Sequence, residues 1–398
     1  MLKTAIRSSA IFLLQVFLLV WMPIIWIIRQ LNARAIATNN RSYWLCAPLL
    51  SVPQKIKAEK MIGLNPVSIV RQSNHLSKAF DYDLKAIMKG NAVAAFLLTF
   101  FVFLMICMRA KIIHGFANGG ILPSHQHHEF NPFELWAYRF LKIKLIVWTY
   151  GADVRTRKIT KNLGKFNCCS DCDAIEMACI CRQEKADANL ARINKSAIAI
   201  FSMGDMIEYV PGSINDLFFW PIDIDDDGGR KYAPAYPDAD HRRTFKIIHA
   251  PNHPQFKGTA YLKSATDRLK DKGWAIELIL VQGIANDDAL KIYRNADIIF
   301  DQCLIGFHGY FALEAMALGK PVMCFVRKPK QYLIDPKNCP MINTSVQSLE
   351  HDLENLLENR DALQKTGRQS RKYIEAHHCV EAFARRLELK YRQLGILA

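Results

Sequence analysis

Acidic residues are nearly absent from two stretches of this chain. Residues 1–60 carry eight Lys or Arg against one acid, Glu59, and residues 139–165 carry eight against Asp153 alone. The formal charge of +15 over 398 residues therefore sits in the N-terminal half, since the remainder is nearly balanced. No nucleic-acid-binding motif accompanies the basic stretches, so nucleic acid is not an expected partner. An anionic lipid surface or an anionic acceptor is. Charge of either sign is missing from Ile11–Ile28 (IFLLQVFLLVWMPIIWII), which only Gln15 and Pro23 interrupt. No small-x-small site follows it, which argues against a cleaved signal peptide. Residues 1–34 read instead as an apolar anchor, either a minimal span or an interfacial helix. Basic residues on both flanks (Lys3 and Arg7, Arg29 and Arg34) give it no orientation. A second apolar run, Ala92–Met108, reads as a buried helix feeding a strand at Lys111–His114. No short internal repeat recurs.

Cysteine is not scarce. Five of the eleven fall within fourteen residues: Cys168, Cys169, Cys172, Cys179 and Cys181. Their spacing suits thiolate ligation, so a structural zinc is one expectation and a compact group of reduced thiols the other. A cytosolic compartment disfavours disulfides. His125, His127 and His128 lack a carboxylate or cysteine at ligand spacing and read as solvent-facing.

Short apolar strands at Tyr43–Ala47, Val67–Val70, Lys111–His114, Lys144–Tyr150 and Ala197–Phe201, some separated by helices such as Phe133–Leu141, predict a parallel, doubly wound α/β sheet over residues 35–215. Residues 216–242 read as a linker, since DIDDDGG and Pro234 and Pro237 interrupt the pattern. A second α/β unit follows over 243–375. In it Phe245–His249 is a strand, Ala275–Val281 a strand, Asp287–Tyr293 a helix and Asp297–Phe300 a strand. Helices near Ser348–Leu357 and Asp361–Leu394 close the chain. The segment ADIIFDQCLIGFHGYFALEAMALGKPVMCFVR (Ala296–Arg327) carries the most information. A strand runs into the loop Gly306-Phe307-His308-Gly309, then a helix Tyr310–Ala317, stopped by Gly319 and Pro321. A glycine loop entering a helix after a parallel strand suits a phosphate. Glu314 is the one charged residue between Gly309 and Lys320, placed to accept hydrogen bonds from ribose hydroxyls.

Leu313-Glu314-Ala315-Met316-Ala317-Leu318-Gly319-Lys320-Pro321-Val322 resembles the donor-domain motif of GT-B glycosyltransferases, especially the retaining family 4 group, strongly over Arg243–Val326. Gly306 stands where the family's E-x7-E motif has its first glutamate. Lys257-Gly258 after the strand Phe245–His249 resembles the family's Lys-Gly, and Asn252 or His253 stands near its usual arginine. The resemblance implies two Rossmann-like domains facing a cleft, with residues 376–398 crossing back to the first. It implies a nucleotide-sugar donor held by Glu314, Lys257, Asn252, His253 and the helix start Gly309, Tyr310 and Phe311. A glycan or lipid-linked acceptor would complete the reaction, with no cofactor required for transfer, at the cytoplasmic face of the cell membrane. Gly151-x-Asp153-x-Arg155 resembles a cleft-facing piece of the same family, and His114 a cleft position. Asp153, Arg155 and His114 are accordingly the catalytic candidates, although Asp153 also reads as a simple cap. Two other readings stand beside this one. They are a nucleotide-sugar epimerase of the same architecture and a non-catalytic, membrane-tethered binding protein.

Overall fold

The computed structural model describes residues 2–45, 47–74, 79–125, 128–170, 172–238, 240 and 242–397, with side chains from Ser9 onward. Among these, short apolar runs form two wholly parallel sheets. The first has six strands in the order β3-β2-β1-β4-β5-β6. They are β1 (Arg41–Leu45), β2 (Asn65–Val70), β3 (Tyr82–Asp83), β4 (Ile112–Phe116), β5 (Lys144–Trp148) and β6 (Ala197–Phe201). The second has five, in the order β11-β10-β9-β7-β8. They are β7 (Phe245–His249), β8 (Ile276–Leu280), β9 (Ile298–Gln302), β10 (Val322–Cys324) and β11 (Ile342–Asn343). Every residue of β4 (IIHGF) and β9 (IIFDQ) is buried, as parallel strands covered on both faces by crossover helices require. The strand order reverses at β1/β4 in one sheet and at β7/β9 in the other. Loops at the carboxyl ends of those strands part to opposite sides and leave a crevice.

Several boundaries differ from those expected, each for a local reason. The first strand is Arg41–Leu45, and Cys46 lies outside the described residues. The strand expected to end at His114 continues to Phe116, which draws His114 into the sheet. The strand expected to reach Tyr150 stops at Trp148, because the amides of Tyr150 and Gly151 turn to the Asp153 carboxylate. The helix expected over Asp361–Leu394 is two. Asp361–Tyr373 passes through one wide turn, Ile374–His378, before Val380–Gln393 begins. At that break the amide of Ile222, from the linker, donates to the His378 carbonyl at 2.7 Å. Helix Val380–Gln393 packs against Val52–Met61 of the first sheet's layer. There Tyr391 Oη donates to Glu59 at 2.7 Å.

The N-terminal helix spans Leu2–Leu31 and packs along the helix Ala92–Arg109. Gln15 within its apolar run and Arg29 just after it both face the protein. Gln15 donates to Asn131 at 3.1 Å, and Arg29 donates to the carbonyls of Cys107 and Ala110 at 2.7 and 3.0 Å. Leu18, Met22 and Ile25 join the core, whereas Phe12, Leu13 and Val20 are 61–68% exposed. Helix Ala92–Arg109 is not the buried helix expected. Phe100, Phe103 and Ile106 are covered, but Val93 and Phe101 are 70% and 64% exposed. The N-terminal helix covers only part of it. Both helices are long and apolar enough to cross a bilayer by length and composition.

Candidate active site

Loops from both sheets enclose a cavity of about 360 Å³ at the carboxyl ends of their strands. The first sheet contributes Pro48, Tyr150 and Arg155. The second contributes Asn252 and Lys257 after β7, Ile305–Phe311 after β9, and Glu314 from the helix Tyr310–Ala317. Glu314 is buried at one wall, and Asn286 Nδ2 and Tyr232 Oη donate to its Oε1 at 2.8 and 3.3 Å. Burial pushes its carboxyl up to about 7, against the opposing pull of Asn286 and Lys231. An ionised Glu314 still has lone pairs to offer two adjacent hydroxyl groups.

Lys257 Nζ lies 2.5 Å from Asp301 Oδ1, while the Gly309 amide donates to Asp301 Oδ2, also at 2.5 Å. Burial by itself would raise Asp301, but Lys257 and the Gly309 amide hold it below the ordinary carboxylate range. The Gly309 N–H, expected to face phosphate, is thus committed to an internal carboxylate. Tyr310 and Phe311 supply the remaining first-turn amides, which have no intrahelical partner. A Cβ at position 309 would lie 2.9 Å from Lys257 Nζ, so a larger residue there would push the lysine aside. Gly306 is explained in the same way. Its φ is +94°, and any side chain would run into the Arg327 guanidinium 2.5 Å from the Cβ position. The glutamate absent from this position has a cation standing against its place.

The other expected residues divide. Asn252 lines the cavity, whereas His253 is not among its lining residues and packs tilted against Phe256 at 5.3 Å. Arg155 lines the cavity and is paired to Asp205 at 2.7 Å, with its guanidinium over the Tyr209 ring. Asp153 does not reach it. Its carboxylate is buried and accepts from the amides of Tyr150, Gly151 and Ala117 at 2.9–3.2 Å, so it fastens the loop that presents Arg155. That burial raises its carboxyl to about 6. His114 is a core residue, not a cleft one. It stacks on Trp44 at 4.1 Å, accepts from Trp148 Nε1 at 3.1 Å and meets Glu59 at 2.8 Å. Ser42, Trp44 and Tyr391 also donate to Glu59. Burial alone would raise Glu59, but His114 and these donors keep it below its usual range.

Sequence reasoning missed Asp205, Asn286, Asp301 and His308, all in or against the cavity wall. A carboxylate at the carboxyl end of the buried run IIFDQ was a readable signal for Asp301. Asn286 resembled an ordinary residue at a helix start. His308 is buried beside Trp220, and burial lowers its imidazole to about 4, so it is neutral at physiological pH.

The cysteine segment forms a loop reaching the second domain, where Gln255 donates to Asp173 at 2.7 Å and Phe166 meets Tyr261 edge-on. No three His, Cys, Asp or Glu groups come together in metal-holding geometry among the described residues. The arrangement therefore does not fit a zinc site. Cys168 and Cys169 are free thiols that share a hydrogen bond. That bond, with Thr160, Arg157 and Arg155, lowers the Cys169 thiol to about 6, while burial pushes Cys179 up to about 11. Protein purified anaerobically without chelator should carry no stoichiometric zinc and should titrate as eleven thiols once unfolded. One zinc per chain in elemental analysis would restore the metal reading. Of the histidines, His125 is exposed and His128 half-buried near the Met177 carbonyl, and His127 lies outside the described residues.

No protein-family model and no curated protein matches the chain. Solved structures do. Sucrose-phosphate synthase (tll1590) from Thermosynechococcus elongatus is 13% identical, with a TM-score of 0.54 over 89% of this chain and 99% of that one. Anabaena Alr3699/HepE in complex with UDP-glucose is 11% identical, with a TM-score of 0.54 over the same shares. WaaG, a glycosyltransferase involved in lipopolysaccharide biosynthesis, is 11% identical, with a TM-score of 0.52 over 87% of this chain and 98% of that one. At such identities the likeness establishes architecture: the chain has the GT-B fold, two parallel-sheet domains closing on a cleft.

Proposed function

We propose that this protein is a membrane-associated glycosyltransferase, moving a sugar from a nucleotide-diphosphate donor to a glycan or lipid-linked acceptor in surface polysaccharide assembly. The observation that carries this reading is that Glu314 and Lys257 line one cavity between the two sheets. A carboxylate suited to ribose hydroxyls and a cation suited to diphosphate thus share the cavity, the two chemistries that a nucleoside diphosphate presents. The UDP-glucose complex of HepE, a protein of the same fold, supports the donor class.

In the transfer, the acceptor hydroxyl oxygen bonds to the anomeric carbon as that carbon's bond to the β-phosphate oxygen breaks. The electron pair leaves with the nucleoside diphosphate, and the hydroxyl proton passes to a departing phosphate oxygen. Attack from the leaving-group face retains configuration and needs no protein nucleophile. Lys257 and the amides of Tyr310 and Phe311 meet the charge growing on the diphosphate. Arg155, held by Asp205, lines the same cavity from the first sheet's side. A panel of UDP-, ADP- and GDP-sugars tests the reading by thermal shift and by product release. A single nucleotide class should raise the melting temperature and be turned over with acceptor; indifference to the whole panel would defeat it.

The exposed apolar sides of Leu2–Leu31 and Ala92–Arg109 support attachment to the membrane, at its cytoplasmic face where nucleotide sugars are found. The full chain should pellet with membranes and be extracted by non-ionic detergent but not by concentrated salt. Charge attraction is screened by salt, whereas apolar burial is not. Release by salt alone would contradict insertion of either helix.

A further inference from the structure

Between β8 and β9 the helix Asn286–Tyr293 buries one stripe, formed by Ala289, Leu290 and Tyr293. Asn286 stands three, four and seven positions before them, so it opens the same stripe with an amide. The stripe packs on the helix Tyr310–Ala317, where Tyr293 meets Phe311 edge-on at 4.8 Å. Glu314 is in turn the one charged side chain of that second helix. The two polar exceptions meet: Asn286 Nδ2 donates to Glu314 Oε1 at 2.8 Å.

Tyr232 Oη, from the linker, donates to the same oxygen at 3.3 Å. Among the described residues no donor reaches Glu314 Oε2. One oxygen of the carboxylate is thus held within the protein, while the other keeps its lone pairs for a ligand. Asn286 and Glu314 both line the donor cavity, whereas Tyr232 lines only an adjoining space. The amide does not serve its own helix, which begins after Ala285 without a side-chain cap.

We propose that Asn286 is a positioning residue of the donor site, fixing Glu314 so that Oε2 is the atom offered to the ribose hydroxyls. The assignment rests on the glycosyltransferase reading, since it needs a ribose at Glu314. A carboxylate already held in one orientation loses less freedom when the ligand arrives. The Asn286 N–H also favours the charged form, which is the form that accepts from hydroxyl groups. Lys231 and Tyr232 of the linker, Asp287 and Tyr293 of the packed helix, and Tyr310 one turn earlier face the carboxyl. Asp301 of β9, Cys324 of β10, and Arg371 and His378 near the closing helices border the Glu314 helix from other sides. The tyrosines, Lys231 and Cys324 are shifted upward and Asp301 and His378 downward. Of the shifted groups, only Glu314 changes charge near pH 7.

The test uses the full-length chain in detergent with the UDP-, ADP- or GDP-sugar that raises its melting temperature, a ligand whose diphosphate has no terminal group titrating near 7. Asn286→Ala should weaken its binding about three- to tenfold at pH 7, the size of one net hydrogen bond. The pH at which affinity rises should move upward by about half a unit to one unit, the same change read on the proton. Asn286→Asp, equal in shape but without the amide N–H, should do at least as much. In a Glu314→Ala background, Asn286→Ala should cost nothing further. Unchanged affinity and an unchanged pH midpoint in both Asn286 variants would overturn the proposal. So would losses that add in the double variant, because Asn286 would then touch the ligand itself. The two readings fail separately: wild-type affinity in Glu314→Ala removes the ribose from Glu314, whereas a loss there with none in the Asn286 variants removes only the positioning. Indifference to the whole panel would defeat both.

Discussion

Lys257→Ala is expected to destabilise the protein by ~3–5 kcal/mol, because it strands a buried carboxylate whose ion-pair partner is gone. The stranded group is Asp301, fully buried and left with the Gly309 amide. A simple loss of activity in this variant would therefore confound folding with binding. Lys257→Ala/Asp301→Asn separates them, since the neutral amide oxygen still accepts from Gly309 without a charge to compensate. Stability measured by urea denaturation should return most of the way to wild type, while affinity for the nucleoside diphosphate should stay well below that of Asp301→Asn alone. Asp301→Asn alone should bind the diphosphate more tightly than wild type. One negative charge about 5 Å from another at an effective dielectric near 20 opposes binding by ~3 kcal/mol, so even partial screening leaves several-fold. Equal diphosphate affinity in the double variant and in Asp301→Asn would show that Lys257 does not touch the phosphate, and equal losses for nucleoside and nucleoside diphosphate would say the same.

What was legible in the chain follows how local its causes are. The helix Tyr310–Ala317 and the strand Phe245–His249 occur at the residues expected, since glycine, proline and a short apolar run determine them nearby. The two parallel sheets were legible from the same alternation of apolar runs. His114 was misplaced because its partners are distant. Glu59 precedes it by 55 positions, and Tyr391, 332 positions beyond Glu59, completes the group. Lys257 and Asp301 are 44 residues apart and meet only when β7 and β9 pair. No spacing rule along one element brings such a pair together. The break near Cys379 coincides with a tertiary contact too, the amide of the linker residue Ile222 donating to the His378 carbonyl. The cleft's outline was therefore readable, while the internal carboxylate that engages its lysine was not.

Glu314→Ala should weaken nucleoside binding by roughly 10- to 150-fold, the equivalent of the ~1.5–3 kcal/mol that hydrogen bonds to a charged group contribute. The carboxyl titrates at about 7, so wild-type affinity should itself climb as the pH rises through that value and the acceptor form fills. A nucleoside is the ligand of choice here, because a terminal phosphate titrates in the same range and would mask the effect. Glu314→Gln keeps the side chain's size and removes the titration, so its nucleoside affinity should be low and flat with pH. Stability should move the other way. A carboxyl raised in the folded state lends stability below its unfolded pKa, near 4.5, and loses it as the pH climbs through about 7. Above that pH the Gln variant should therefore resist urea better than wild type while binding worse. A structural glutamate with no ligand would reproduce the gain in stability and leave affinity untouched. The two readouts changing in opposite directions in one variant is the result that assigns Glu314 to the ribose.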